Sequence, residues 1–275
     1  MNKVLCSTGT FINGLNNFDY TLIKELSQKI NCDGYEFMIE PFWNSEEKMS
    51  DIVSCFLSSG INIETIHMDK NIGDMISKNE AGDIDRALRV FELNCKAAEK
   101  LGAKLLVLHL WGGMPSDKHI DVNIKTYADL LDIAGKYNVM LTVENIVCNT
   151  FNALTHMEKL YKTYGDNMKF TIDTRQAEFH KSLKATCEAD FLWENNLVPH
   201  IHIADYKGDF MDWSKLRPVI SPMEGDVDFD CFSIFLKSVN YTGSFTLEAG
   251  ARNGNENDFD KINKNLDFIY KMAKD

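Results

Sequence analysis

Eight times along its 275 residues this chain passes from a short apolar, β-branched run to an amphipathic helical pattern, and that alternation restricts the fold more than any other feature. The runs are KVLCSTG (3–9), YEFMIE (35–40), NIETIHM (62–68), KLLVLHL (104–110), VMLTVEN (139–145), MKFTIDT (168–174), HIHIAD (200–205) and SFTLEA (244–249). Between them, Ile84, Ala87, Leu88, Phe91, Cys95 and Ala98 recur at three- and four-residue steps, and Gly102 supplies a helix stop. Ile124, Tyr127, Leu131 and Ala134 repeat the pattern behind Asp121, a suitable N-cap, and Phe259, Ile262, Leu266 and Ile269 repeat it at the C-terminus. The segment after residue 176 gives the weakest helical pattern. Right-handed succession of eight such units predicts a closed (β/α)8 TIM barrel, a single α/β domain over residues 1–275. A doubly wound open sheet is the rival, because strand number alone does not prove closure. No GxGxxG or GxxxxGKS loop is present, and no Pro/Gly linker or low-complexity stretch marks a domain boundary.

Strands covered on both faces should be apolar almost throughout. Six of these carry a titratable or metal-competent side chain at or near the carboxyl end: His67, His109, Glu144, Asp173, His202 and Glu248. In a barrel that end is where the βα loops converge and chemistry is assembled. Period-two geometry places Thr142, Thr171, His200 and Thr246 one layer beneath Glu144, Asp173, His202 and Glu248, where hydroxyls or a ring N–H can orient the groups above. Strand preference alone also accounts for threonine there. Three acids and one imidazole make a mixed oxygen–nitrogen set suited to one divalent ion, Mn²⁺, Mg²⁺, Co²⁺ or Zn²⁺, and no thiolate competes. The plainer alternative is an internal hydrogen-bonded network without metal. Glu36 and Glu40 share a face of the second strand, with Glu40 nearer the rim.

A net charge of −12 argues against tracking of a phosphate backbone, which draws its affinity from clustered Lys and Arg. The opening MNKVLCSTGTFING has no apolar run of the signal-peptide kind, and nowhere do about 20 apolar residues occur together. The seven cysteines are odd in number, scattered and without a CxxC pair, so reduced thiols in a cytoplasmic protein are expected.

Taken in order, LLVLHLWGG (105–113), TVENI (142–146), TIDT (171–174), HIHIAD (200–205), EGDVDF (224–229) and FTLEAG (245–250) resemble the xylose isomerase-like barrel superfamily, over most of the chain. That group takes in sugar and sugar-phosphate isomerases and epimerases, inosose dehydratases and apurinic endonucleases. The resemblance implies that Glu144, Asp173, His202 and Glu248 are the metal ligands. It also implies that Glu144 and Glu248 form the acid/base pair, and that His67 and His109 face substrate, as in the epimerases, or bind extra zinc, as in the endonucleases. The family's Asp-x-x-His after the sixth strand has Gln176 in place of histidine. The endonucleases' Asp-x-His after the seventh strand is here Asp226 and Asp228, so two imidazoles of a three-zinc site are missing.

These readings converge on proton transfer beside a carbonyl of a hydroxylated small molecule, assisted by a Lewis-acidic cation. His67, His109, Trp111, Gln176 and Lys207 are the expected substrate-facing residues, Trp111 as an apolar wall and Lys207 as a charge just beyond a strand end. The first expectation is a metal-dependent isomerase or epimerase of a sugar, sugar phosphate or related polyol in carbohydrate metabolism. An inosose-type dehydratase begins with the same deprotonation and is the second. A non-catalytic sugar-binding barrel is the third, and a nuclease ranks last. No nucleic acid or membrane partner is expected; a homo-oligomer fits barrels of this kind, with no number indicated.

Overall fold

A computed structural model describes residues 2–112, 114–147, 149–150 and 152–274. Gly113 of the LLVLHLWGG stretch and Cys148 lie outside the described residues. In chain order the elements are β1 (Val4–Ser7), α1 (Ile23–Ser27), β2 (Gly34–Met38), α2 (Glu46–Ser59), β3 (Ile63–His67), α3 (Asn71–Lys78), α4 (Asp83–Leu101), β4 (Leu105–Leu108) and α5 (Ile120–Lys136). They continue with β5 (Met140–Glu144), α6 (Ala153–Tyr164), β6 (Phe170–Asp173), α7 (Thr174–Phe179), α8 (Leu183–Cys187), α9 (Asp190–Trp193), β7 (His200–Ile203), α10 (Phe229–Ser238), β8 (Ser244–Leu247) and α11 (Phe259–Lys274). The strands hydrogen-bond in the order β1 to β8 and close on themselves, since β8 also pairs in parallel with β1. Each run that alternation singled out coincides with one of them, β2 starting one residue early at Gly34. The barrel is closed, not an open sheet.

Period two sorts the strands that carry polar side chains. In β7, Ile201 and Ile203 alternate with His200 and His202; in β6, Phe170 and Ile172 alternate with Thr171 and Asp173; all eight side chains are buried. The apolar set meets the helices, and the polar set fills the interior, where parallel strands covered on both faces have no water to offer.

The chain divides into two compact units, Met1–Glu36 with Thr171–Asp275, and Phe37–Phe170. In the first, the register sets Thr171 beside His200, Asp173 beside His202, and His202 beside Thr246, so Glu248 stands one step past the end of β8. In the second, Leu106 pairs with Leu141 and Leu108 with Val143, while His67 pairs with Val107.

Local signals explain most boundaries. Ser45 caps α2 by accepting from Lys48 N at 3.2 Å, and Gly102 ends α4 in the left-handed region at φ 79°, its N–H donating to the carbonyls of Ala98 and Glu99. Two expectations need correction. His119, not Asp121, holds the N-cap position of α5; Asp121 is the second residue of the helix, where a carboxylate still meets the positive end of the dipole. On the same helix Leu130 is fully buried and Leu131 only half so, a shift of one residue in the packed stripe. The weak pattern after 176 resolves into three helices of six, five and four residues, too short to show periodicity. Six cysteines are free thiols. Among the described residues no helix is long and apolar enough to cross a membrane.

Candidate metal centre

In the unit formed by Met1–Glu36 and Thr171–Asp275, Asp173 closes β6 and turns at once into α7. One carboxylate oxygen, Oδ1, accepts the backbone N–H of Gln176 at 2.8 Å, which caps the helix and fixes the side chain. Gln176, where the resembling family has histidine, is itself buried. His202 is fully buried; its Nε2 lies 3.1 Å from Oε2 of Glu36 and its Nδ1 lies 3.3 Å from Oε1 of Glu248. Asp173, His202 and Glu248 each present a ligand atom, all within 4.8 Å of one another. Oε1 of Glu248 is shielded from water and accepts no hydrogen bond among the described residues.

That arrangement suits a cation. Two ligands each about 2.1 Å from one metal stand about 3.0–3.4 Å apart in octahedral or tetrahedral geometry. The 3.3 Å between His202 Nδ1 and Glu248 Oε1 falls in that span. A buried carboxylate oxygen with no donor is costly unless a positive charge meets it.

Beneath these groups lies a residue whose importance sequence reasoning missed. Glu36, on β2, is completely buried, and its Oε2 is shared between His200 Nε2 and His202 Nε2, each at 3.1 Å. His200 is held further by Ser244 Oγ at 2.6 Å from Nδ1 and by Thr246 Oγ1 at 3.1 Å from Nε2. Burial alone would raise the Glu36 carboxyl; the imidazoles of His202 and His200 outweigh it and hold that carboxyl below the usual range. Burial pushes His200 down, against the pull of Glu36. Glu40, the other acid of that strand, lies beyond the end of β2 and is only half-buried.

In the unit Phe37–Phe170, Glu144 ends β5 fully buried, with Oε2 at 2.6 Å from His109 Nε2 and 3.4 Å from His67 Nε2. The two imidazoles meet edge to face at 4.8 Å. His67 Nδ1 is 3.0 Å from the carbonyl of Met68, which leaves Nε2 towards Glu144. Burial is the main force lowering the His109 pKa, and Glu144 opposes it. Thr142, one layer below, donates from Oγ1 to the Leu106 carbonyl at 2.9 Å and so ties β5 to β4.

The exit of β4 that carries His109 is locked from behind. Asn123 donates to the carbonyls of Leu110 and Gly73 and accepts from Ser77. A side chain at Gly73 would overlap the backbone of His109 and Leu110, and a Cβ at Gly112 would come within 2.6 Å of Asp74 Cβ. Trp111 is fully buried, its indole N–H donating to the Ile146 carbonyl at 3.3 Å and its ring edge-on to His156 at 5.0 Å. His156 in turn meets Asp117 at 2.7 Å. Lys207 is exposed in a cleft after β7 that also holds Lys181, Arg217, Asp209 and Asp226.

Both aspartates of EGDVDF serve the backbone. Asp226 accepts from Gly208 N at 3.1 Å, and Asp228 caps α10 by accepting from Cys231 N at 2.9 Å. Asp205 anchors the same segment by accepting from the N–H groups of Tyr206, Gly225 and Val227.

Several known proteins are similar to this chain. An uncharacterised protein of Methanocaldococcus jannaschii is 26% identical over 149 residues, 53% of this chain and 55% of that protein, so the chain spans about half the length of the curated relative it matches. Among solved structures, D-psicose 3-epimerase from Clostridium cellulolyticum H10, solved with D-tagatose, superposes with a TM-score of 0.70 at 15% identity, over 99% of this chain and all of that one. D-allulose 3-epimerase from Methylomonas sp., in complex with D-allulose, gives 0.70 at 13% identity over 98% and 97% of the two chains. The 3-keto-D-glucoside 4-epimerase of E. coli gives 0.65 at 18% identity over 98% and 100%. At those identities the likeness speaks for fold. The family model described as xylose isomerase-like TIM barrel matches residues 25–272, and with the closed eight-stranded order it shows that the chain belongs to the xylose isomerase-like TIM barrel family.

Proposed function

We propose that this chain is a divalent-metal-dependent isomerase or epimerase of a sugar, sugar phosphate or related polyol, acting as a single domain in the cytoplasm. The observation that carries the reading is the convergence of Asp173, His202 and Glu248 to within 4.8 Å, with a buried Glu248 oxygen that accepts no hydrogen bond among the described residues. Glu144 is the proposed fourth ligand. It ends β5, and β5 to β8 are consecutive around the barrel, so the four candidates come from successive strand ends. Sugar epimerases with this fold, two of them solved with ketohexoses, add support.

When bound, a Mn²⁺, Mg²⁺, Co²⁺ or Zn²⁺ ion would supply Lewis-acid charge at the substrate oxygens. Asp173, His202, Glu144 and Glu248 would hold it. Glu144 and Glu248 would also move the proton at the carbon next to the carbonyl, one removing it and the other returning it. His67 and His109 would steady Glu144 and donate to substrate hydroxyls, while Trp111, Gln176 and Lys207 remain proposed contacts farther out. The use of Asp226 and Asp228 to tether backbone amides, and the net charge of −12, favour a small polyol over nucleic acid. Six free thiols fit a reducing compartment.

The test is solvent exchange. Protein loaded with each metal is incubated in D₂O with ketoses, inososes and their phosphates, and deuterium uptake is followed by NMR. Exchange with interconversion of isomers or epimers is the expected result. A dehydrated product would replace the reading with a lyase, and no exchange across the panel would sink it in favour of a binding role.

A further inference from the structure

We propose that Glu36 is a positioning residue: its buried carboxylate accepts a hydrogen bond from His202 Nε2–H and thereby turns the unprotonated Nδ1 towards Asp173 and Glu248. The inference rests on the metal-centre reading above and adds to it the group that makes His202 a usable ligand.

A neutral imidazole carries one hydrogen, and only the unprotonated nitrogen can ligate a cation. Which nitrogen that is depends on the partner of the other. Here the two nitrogens of His202 face different carboxylates: Nε2 meets Glu36 Oε2 at 3.1 Å, and Nδ1 meets Glu248 Oε1 at 3.3 Å. Glu36 is completely buried, so its charge has no water to lean on and must take hydrogens from the imidazoles around it. It takes two, from His200 and His202, both at 3.1 Å.

His200 completes the device. Its Nδ1 lies 2.6 Å from Ser244 Oγ, a hydroxyl that donates to the nitrogen left bare when Nε2–H points to Glu36. Thr246 Oγ1 stands at 3.1 Å from the same Nε2 and limits rotation of the ring. The rings of His200 and His202 meet edge to face, crossing at 89° with centroids 5.0 Å apart. With the hydrogen on Nε2, the lone pair of Nδ1 faces a carboxylate oxygen, an arrangement that a cation between them relieves.

Glu36, His200 and His202 could themselves clasp an ion, since their ligand atoms also lie within 4.8 Å of one another. The positioning role is favoured because hydroxyl and carboxylate partners already meet both nitrogens of His200 and the Nε2 of His202.

The test combines histidine ¹⁵N NMR on metal-free protein with calorimetric titration of Zn²⁺, on the wild type and on Glu36→Leu and Glu36→Gln. Leucine removes the acceptor at similar volume; glutamine keeps one acceptor oxygen. In the wild type His202 should carry its hydrogen on Nε2. Glu36→Leu should shift His202 to a mixed or Nδ1–H form and weaken Zn²⁺ binding about 10–100-fold, with Glu36→Gln in between. Wild-type His202 with its hydrogen on Nδ1 would overturn the inference, as would an unchanged tautomer in Glu36→Leu. So would a second Zn²⁺ per chain that Glu36→Leu abolishes, because Glu36 would then be a ligand. If Glu36→Leu does not fold, the wild-type tautomer and Glu36→Gln still decide. If no divalent ion binds but the tautomer follows Glu36 as stated, the metal-centre reading fails and this inference stands.

Discussion

His109 Nε2 lies 2.6 Å from Glu144 Oε2, closer than the 3.4 Å of His67 Nε2 to the same oxygen, and His109 and Glu144 rise from adjacent strand ends. The contact fixes where the Glu144 carboxylate points, while His109 keeps a partly open edge, its side chain 14% exposed against 1% for the acid. His109→Ala should therefore lower turnover about 10–100-fold, with His109→Gln recovering part through its remaining donor. Steady-state kinetics on the ketose that exchanges best is the measurement. Unchanged turnover in His109→Ala would remove this residue from the site.

Glu144→Gln and Glu248→Gln should each cost at least about 10²–10⁴ in turnover, the scale of lost general acid–base catalysis, and more if the cation is lost as well. Metal content by elemental analysis separates the two causes. Gln176→His should leave metal binding intact, because the backbone N–H that Asp173 Oδ1 accepts is one that histidine supplies equally. Activity retained in Glu248→Gln would dismantle the proposed acid/base pair.

The barrel was legible because each parallel strand, covered on both faces, spells an apolar run, and the strand-end residues were legible because they break those runs. Glu36 was not. Its strand reads YEFMIE, with two acids on one face, and parity cannot tell which of them the barrel buries; the partners that decide it, His200 and His202, are 164 and 166 residues away. The pairing of His156 with Asp117 escaped notice for the same reason, since it joins residues 39 apart that share no strand. The true N-cap of α5 escaped because an aspartate inside the first turn carries the same compositional signal as one at the cap.

Asp205 stands two residues past the end of β7, the strand that carries His202, and accepts three backbone N–H groups, from Tyr206, Gly225 and Val227. Asp205→Ala leaves those donors without their acceptor in a buried setting, a loss of about 3 kcal/mol. For a chain of this size that corresponds to roughly 6–12 °C in Tm. Gly225→Ala should act in the same direction, since a Cβ there would overlap the Asp205 carboxylate. Calorimetry on metal-free protein reads both; a change below about 1 kcal/mol for Asp205→Ala would show that the loop holds without its anchor.

Acid should destabilise the metal-free protein first through its buried histidines. Burial lowers the pKa values of His109, His156 and His200 in the folded state, so the unfolded chain, with histidines near about 6.5, binds more protons. Stability is then full above that value and falls as pH drops through it towards the folded pKa values, each histidine contributing up to about 1.4 kcal/mol per pH unit. Glu36, held below its usual range, adds a second loss only under about pH 4.5, so the two windows are separate. Denaturant titrations between pH 7.5 and 5.5 should show the first decline. His156→Gln, at a residue that is none of the ligands proposed here, should flatten it by about one proton, because His156 bonds to Asp117, packs edge-on against Trp111 and feels the charge of Lys159. A profile level from pH 7.5 to 5.5 would mean that these imidazoles are not held neutral in the folded protein.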